Sequence, residues 1–212
     1  AHLIYNRGCS SIGEPNFPPA FLALLHGSAS QCDNNWAFLA EYAWVHHETG
    51  ALDEAMRLAQ RSLHLNPTNA VAVHSMTHVY FERADAVAGA DFLGNWLAEF
   101  DCPASSYVHL SWHLALFELA LGQYQRAIER YEQDIRPYVV AKSIATLADS
   151  ASFLWRVQIY SSTPSSHPAA PPWEDVRALA RASFDAATQS WRIGDAASPE
   201  MAALNRFAAA VN

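Results

Sequence analysis

An all-α fold of antiparallel helix pairs is predicted by two features of this 212-residue sequence. First, several long segments carry apolar residues at helical spacing rather than at the alternating spacing of strands. Second, a turn followed five positions later by a small residue occurs three times, at intervals typical of two-helix repeats. These turn and small-residue pairs are Gly50 with Ala55, Ala84 with Gly89, and Gly122 with Ala127.

The clearest repeat unit runs from Glu48 to Pro67 and is typical of the second half of a tetratricopeptide repeat. Gly50 lets the chain turn between two antiparallel helices. Ala55 is small where those helices approach most closely, and Pro67 follows the end of the second helix. The sequence therefore predicts a helix, a tight turn and a second helix at this point.

The same reasoning predicts three helix pairs in chain order. A further helix follows Pro137, and the Ser/Pro-rich stretch after it is predicted to be a linker because it has four prolines and no periodicity. The predicted pairs are 36–49 with 52–65, 70–83 with 86–99, and 105–121 with 124–136. The later predicted helices are 143–160, 173–193 and an Ala-rich segment from 198.

Four regions follow from these elements. Residues 1–35 are predicted to be irregular, with a short helix at 19–26. Because the chain opens without Met, we expect them to be the end of a longer or incomplete N-terminal part. The tetratricopeptide-like repeats occupy 36–160, the Ser/Pro linker 161–172, and the C-terminal helices 173–212.

Composition and charge exclude some classes of partner. The chain has 21 acidic and 13 basic residues and a formal charge of −8, which disfavours binding to nucleic acid or to an anionic membrane surface. Its three cysteines are widely spaced and form no CxxC motif, so neither a disulfide framework nor a zinc ribbon is predicted. We therefore expect a cytoplasmic protein that binds neither nucleic acid nor membranes.

Two histidine pairs are the most informative candidates for a site. His74 and His78 are four residues apart, as are His109 and His113. On a helix, each pair shares one face. The first helices of such repeats line a concave surface, so these histidines and Asp149 are expected to project towards a shared groove.

Positions 36–160 resemble the tetratricopeptide repeat protein 38 family. The resemblance depends on five motifs, and it implies an all-α, right-handed superhelix of antiparallel helix pairs. It also implies that His74, His78, His109, His113, Asp149 and Arg156 occupy the family's polar positions. The motifs are Tyr42-Ala-Trp leading to Glu48-Thr-Gly, Ala-Val-His-Ser-Met-Thr-His ending at His78, His-Leu-Ser-Trp-His-Leu-Ala-Leu-Phe from His109, Tyr131 to Pro137, and Asp149 to Arg156.

The favoured function is binding of a small polar molecule or a peptide by the histidine-lined face. The second possibility is an enzyme in which the same histidines hold a divalent metal or, with Asp149 orienting one of them, transfer protons. The third is an interaction scaffold whose buried histidines only bridge helices. The predicted ligand-binding residues are Tyr42, His46, His74, His78, His109, His113, Asp149 and Arg156.

Two details constrain these alternatives. Neither histidine pair has Glu directly after its first member, which disfavours a zinc protease. Arg156 has two possible roles: an internal ion pair with Asp149, or a grip on a ligand carboxylate or phosphate through its planar guanidinium.

Overall fold

The computed structural model describes residues 17–100, 104–161 and 169–193. Within these ranges all regular structure is helical and no strand occurs, so the all-α prediction is confirmed. None of the helices in the same ranges is both long and apolar enough to cross a bilayer. The chain divides into two compact units, Ala1–Cys102 and Pro103–Asn212, which are treated separately below.

Within residues 17–100, the described part of the first unit, there are five α-helices and one 3₁₀ turn, Ala29–Gln31. The predicted repeat helices match these elements to within one residue at either end, and the short N-terminal helix begins two residues earlier than predicted. The helices are α1 (Phe17–His26), α2 (Trp36–Glu48), α3 (Leu52–Leu65), α4 (Ala70–Glu82) and α5 (Ala86–Glu99).

Side-chain caps fix where three of these helices begin. Asn35 accepts a hydrogen bond from the backbone N–H of Phe38 at 3.0 Å, ahead of α2. Asn69 and Asp85 play the same part ahead of α4 and α5. Such caps satisfy backbone donors that have no partner within the helix, and each contributes about 1 kcal/mol.

The core of the first unit lies where α2 packs on α3 and α4, with α1 against α2. Small residues such as Ala43, Ala55 and Ala59 are fully buried and allow close approach of the helices. Ser62 donates a hydrogen bond to the carbonyl of Trp36 at 2.8 Å and accepts one from Asn69 at 2.9 Å. This contact ties the end of α3 to the beginnings of α2 and α4.

The second unit begins with α6 (Ala104–Ala120) and α7 (Tyr124–Arg130). A π-helical segment, Tyr131–Ile135, leads into α8 (Arg136–Val140), and a 3₁₀ turn, Ile144–Thr146, precedes α9. The last described helices are α9 (Leu147–Ser161) and α10 (Glu174–Ile193). The predicted helix from 198 lies outside the described residues, as do residues 162–168 of the predicted linker.

The predicted end of the 124–136 helix at Pro137 is wrong. Helical backbone continues to Val140, with a π-helical segment immediately before the helix that holds Pro137. Proline has no N–H to donate, and its ring clashes with the carbonyl four residues earlier. The wider π turn relieves that clash, and Pro137 then lies in the first turn of α8, where proline is tolerated.

The three predicted turns share one backbone conformation. Gly50, Ala84 and Gly122 all have left-handed φ angles, of 81°, 54° and 73°. The small residue five positions later is buried in each case. The recurring turn read from the sequence therefore corresponds to a recurring local structure.

A buried ion pair joins α6 to α7 in the second unit. The side chain of Glu118 on α6 is only 1% exposed, and Arg130 on α7 binds both of its carboxylate oxygens, at 2.8 and 3.0 Å. Arg126 approaches the same carboxylate at 2.9 Å from a more exposed position.

Tyr131 stacks on Phe153 with ring centroids 5.0 Å apart, and burial raises the pKa of Tyr131 to about 12.

Candidate functional site

A histidine–carboxylate pair joins α6 to α9 in the second unit. His109 Nδ1 lies 2.7 Å from Asp149 Oδ2, and the side chains are 37% and 13% exposed. An ionised carboxylate only accepts hydrogen bonds, so Nδ1 of His109 is the donor. In the neutral ring the lone pair then resides on Nε2, which makes that nitrogen the basic atom of the pair.

The pair lines a small cavity of about 80 Å³. Because a water molecule occupies about 30 Å³ of liquid, the space suits a few waters or one small polar group. Most of its lining residues are polar, and three of them carry hydroxyl groups. The lining residues are Val108, His109, Tyr138, Ser143, Ala145, Thr146 and Asp149.

A tight turn ahead of α9 builds one wall of this cavity. Lys142 has a left-handed φ of 61°, and the Thr146 hydroxyl donates to the carbonyl of Ser143 at 2.7 Å. Asp149 follows this segment and lies in the first turn of helix α9. Negative charge is favourable at that end of a helix, so an acidic side chain suits this position.

His113 lies one helical turn beyond His109, and the two rings meet edge to face with centroids 4.7 Å apart. Trp112 contacts both rings, and its ring centroid lies 5.3 Å from that of His109 and 4.6 Å from that of His113. His113 is buried, with only 3% of its surface exposed. The i,i+4 spacing therefore brings these two histidines together as predicted, with His109 at the cavity and His113 in the interior.

Arg156 does not form the internal ion pair with Asp149 that was one of its two predicted roles. Arg156 is exposed, and its Nη1 donates to the carbonyl and hydroxyl of Ser152, one turn earlier. Asp149 lies two turns away, about 10 Å along the helix axis, and bonds to His109 instead. The guanidinium therefore lies at the surface of α9.

The other predicted histidine pair lies on α4 in the first unit. Nε2 of His74 and Nε2 of His78 lie 2.9 Å apart on α4. Trp44 of α2 stacks on His74 with centroids 4.7 Å apart and an interplanar angle of 18°, and its ring edge meets His78 at 4.9 Å. The ring of His47 contacts that of His78, with centroids 4.8 Å apart. The contact of Trp44 with both histidine rings was not predicted from the sequence.

Tyr42 and His46 belong to a different face of α2. The Tyr42 hydroxyl lies 2.8 Å from Nδ1 of His26, and its ring lies 4.5 Å from that of His46. Burial lowers the pKa of His46, with Glu54 acting in the opposite direction. Burial also raises the pKa of Tyr42. Contacts of this pair therefore run towards α1, whereas those of His74 and His78 run to Trp44 and His47.

Three polar residues of the cavity were not predicted from the sequence, namely Tyr138, Ser143 and Thr146. Tyr138 lies between two predicted helices. Ser143 and Thr146 lie at the start of the helix predicted at 143–160, where the structure has an irregular turn and the α-helix begins only at Leu147. Ser and Thr shortly before an acidic residue in a first helical turn are typical of a structured turn, and that pattern could have pointed to Ser143 and Thr146.

No known protein-family model matches the chain. The resemblance to the tetratricopeptide repeat protein 38 family therefore remains a prediction from the motifs.

Proposed function

We propose that this protein is built of tetratricopeptide-like helix pairs and binds the polar head group of a small molecule, or a polar peptide side chain, in the cavity beside His109 and Asp149. The observation that carries the proposal is the 2.7 Å hydrogen bond between these two side chains at the wall of a small cavity. A fixed carboxylate and an oriented imidazole offer a ligand two hydrogen-bonding groups at known positions.

The chemistry of the cavity favours a ligand that donates N–H groups. Asp149 accepts hydrogen bonds, and the neutral ring of His109 presents an accepting Nε2. The chain's formal charge of −8 disfavours an anion. We therefore expect a neutral amide or a small ammonium or guanidinium group to bind more tightly than a carboxylate or phosphate of similar size.

The helix-pair part of the proposal is supported by the turns. Each of the three has a residue with left-handed φ followed five positions later by a buried small residue. The chain has three cysteines, an odd number that does not indicate a disulfide framework. This supports the expectation of a reducing compartment and so of a cytoplasmic protein.

Binding can be tested in solution with acetamide and methylammonium as probes, and acetate as the anionic comparison. NMR titrations of histidine ring resonances should give millimolar dissociation constants for the first two, because so few atoms rarely bind more tightly. Asp149→Asn and His109→Gln should each weaken binding at least tenfold. Glu129→Gln, at an exposed carboxylate of the same unit, is the matched control. Equal binding by all four proteins would contradict the proposal.

Proton transfer by the same pair is the second candidate function. It is favoured by the bond from His109 Nδ1 to Asp149, which orients the ring and leaves Nε2 as the base. Hydrolysis of 4-nitrophenyl acetate is a simple probe of such a base. A rate above that of free imidazole, lost in both Asp149→Asn and His109→Gln, would support an enzyme. A rate equal to that of free imidazole would contradict this candidate without affecting ligand binding.

A further inference from the structure

We propose that His74 and His78 form a chelating site for a divalent transition metal, with Cu²⁺ the best match. The two Nε2 atoms lie 2.9 Å apart on successive turns of α4 and belong to a different unit from the His109 cavity. Neutral imidazole nitrogen is a good ligand for copper, nickel and zinc. The proposed ligands differ from the His109–Asp149 pair, so the proposal has a test of its own.

The separation of the two nitrogens selects among metals. With metal–nitrogen bonds of about 2.0–2.1 Å, nitrogens 2.9 Å apart subtend an angle of about 90° at the metal. A tetrahedral Zn²⁺ ion needs nitrogens about 3.3 Å apart at the same bond length. A right angle between neighbouring ligands is the geometry of tetragonal Cu²⁺, which is also the divalent ion that nitrogen ligands bind most tightly.

Metal binding requires a change of tautomer in this pair. A hydrogen bond between two imidazole nitrogens needs one Nε2 to carry a proton. A bound metal needs a lone pair on both Nε2 atoms, so the donor ring must exchange its proton through water to Nδ1. Two neutral rings therefore bind the metal with no net release of protons, and acidification weakens binding by protonating the rings.

Packing around the pair holds it in position for chelation. Trp44 stacks on His74 and meets His78 edge to face, and His47 contacts His78 on another side. These contacts limit the rotamers of both histidines before any metal arrives, so less entropy is lost on binding. Both side chains are half-buried, so neither is closed off from solvent.

The test is a titration of the purified full chain with Cu²⁺, followed by calorimetry and by electron paramagnetic resonance. We expect one site of micromolar affinity, binding Cu²⁺ more tightly than Zn²⁺, with two nitrogen ligands in the spectrum. His74→Gln and His78→Gln should each weaken binding at least tenfold and remove one nitrogen ligand. His64→Gln, at an exposed histidine of α3, is the matched control and should bind as the native protein does.

Two outcomes would overturn the proposal: no tight Cu²⁺ site in the native chain, or a site that keeps both nitrogen ligands in His74→Gln and His78→Gln.

Trp44→Phe tests the location of the site by fluorescence and leaves both histidine ligands in place. Because Cu²⁺ quenches fluorescence at short range and Trp44 lies against both rings, this variant should bind Cu²⁺ while losing the most strongly quenched part of the emission. Unchanged quenching in Trp44→Phe would contradict the proposed location.

Discussion

Asp149 Oδ2 lies 2.7 Å from Nδ1 of His109, a residue 40 positions earlier in the chain. This one contact joins α6 to α9 at the cavity and orients the ring. The second function considered from the sequence needs Asp149 to orient one histidine, and this hydrogen bond meets that requirement for His109. The resulting Nδ1–H tautomer can be measured directly.

We predict that Asp149→Ala removes the tautomer preference of His109. In the native protein the carboxylate holds the proton on Nδ1, so the ¹⁵N shifts at neutral pH should show a protonated Nδ1 and an unprotonated Nε2. Free imidazoles favour Nε2–H only weakly, and the variant should move towards that mixture. Glu129→Gln should leave the His109 resonances unchanged. A native spectrum dominated by Nε2–H would contradict the hydrogen bond.

The left-handed turns predict opposite effects of exchanging glycine and alanine. Gly50 has a φ of 81° with open space around its Cα, so Gly50→Ala should cost about 1 kcal/mol of unfolding free energy through backbone strain alone. Ala84 already bears that strain at a φ of 54°, so Ala84→Gly should stabilise by about 0.5 kcal/mol.

Urea unfolding of both variants measures these differences. Gly27→Ala is the control, because Gly27 has no left-handed φ and a Cβ there would make only ordinary contacts. It should be neutral or slightly stabilising. A loss of stability in Ala84→Gly would mean that the φ angle at this turn is not the determining factor.

The buried Glu118–Arg130 pair predicts that replacing Arg130 costs far more unfolding free energy than replacing Arg126. Arg130→Ala would leave a carboxylate that is 1% exposed with the solvent-exposed Arg126 as its remaining ion-pair partner, and it should cost about 3 kcal/mol. Arg126 is 64% exposed, so Arg126→Ala should cost less than about 1 kcal/mol. Chemical denaturation of both variants tests this, and equal losses would contradict the assigned roles.

His46 predicts a pH-dependent contribution to stability. Burial lowers its folded pKa, so the folded state favours the neutral ring, and among described residues neither ring nitrogen has a hydrogen-bond partner. Below the unfolded value of about 6.5 the unfolded chain binds more protons, so the stability present above that pH is lost as the pH falls.

Comparison with His46→Gln measures that contribution. Between pH 7.5 and 5.0 the native protein should lose more unfolding free energy than the variant, and His64→Gln should follow the native protein. A variant with the same pH dependence as the native chain would show that His46 is not responsible.

Much of the fold could be predicted from local pattern. Apolar spacing, capping residues and the Gly50 turn fix helices α2 to α6 because they act over a few neighbouring residues. Pro137 misled the prediction because the π turn that accommodates it has no distinct local pattern. Local rules identify where a helix can end, whereas packing decides whether it does.

The candidate site was predictable only in part for the same reason. Helical spacing correctly paired His74 with His78 and His109 with His113. It could not assign Asp149 to His109 rather than to Arg156, because that choice depends on how α6 packs on α9. Nor could it show that Ser143 and Thr146 would line the cavity, since their positions depend on one irregular turn.

The most direct test of the central claim is a crystal of the full chain soaked in selenourea. This neutral probe has two N–H₂ groups and a selenium atom that scatters anomalously, and it is small enough for the 80 Å³ cavity. We expect an anomalous peak in the cavity, with nitrogen within hydrogen-bonding distance of Asp149, and its loss in Asp149→Asn. Selenium peaks elsewhere on the protein with only water beside Asp149 and His109 would contradict ligand binding in this cavity.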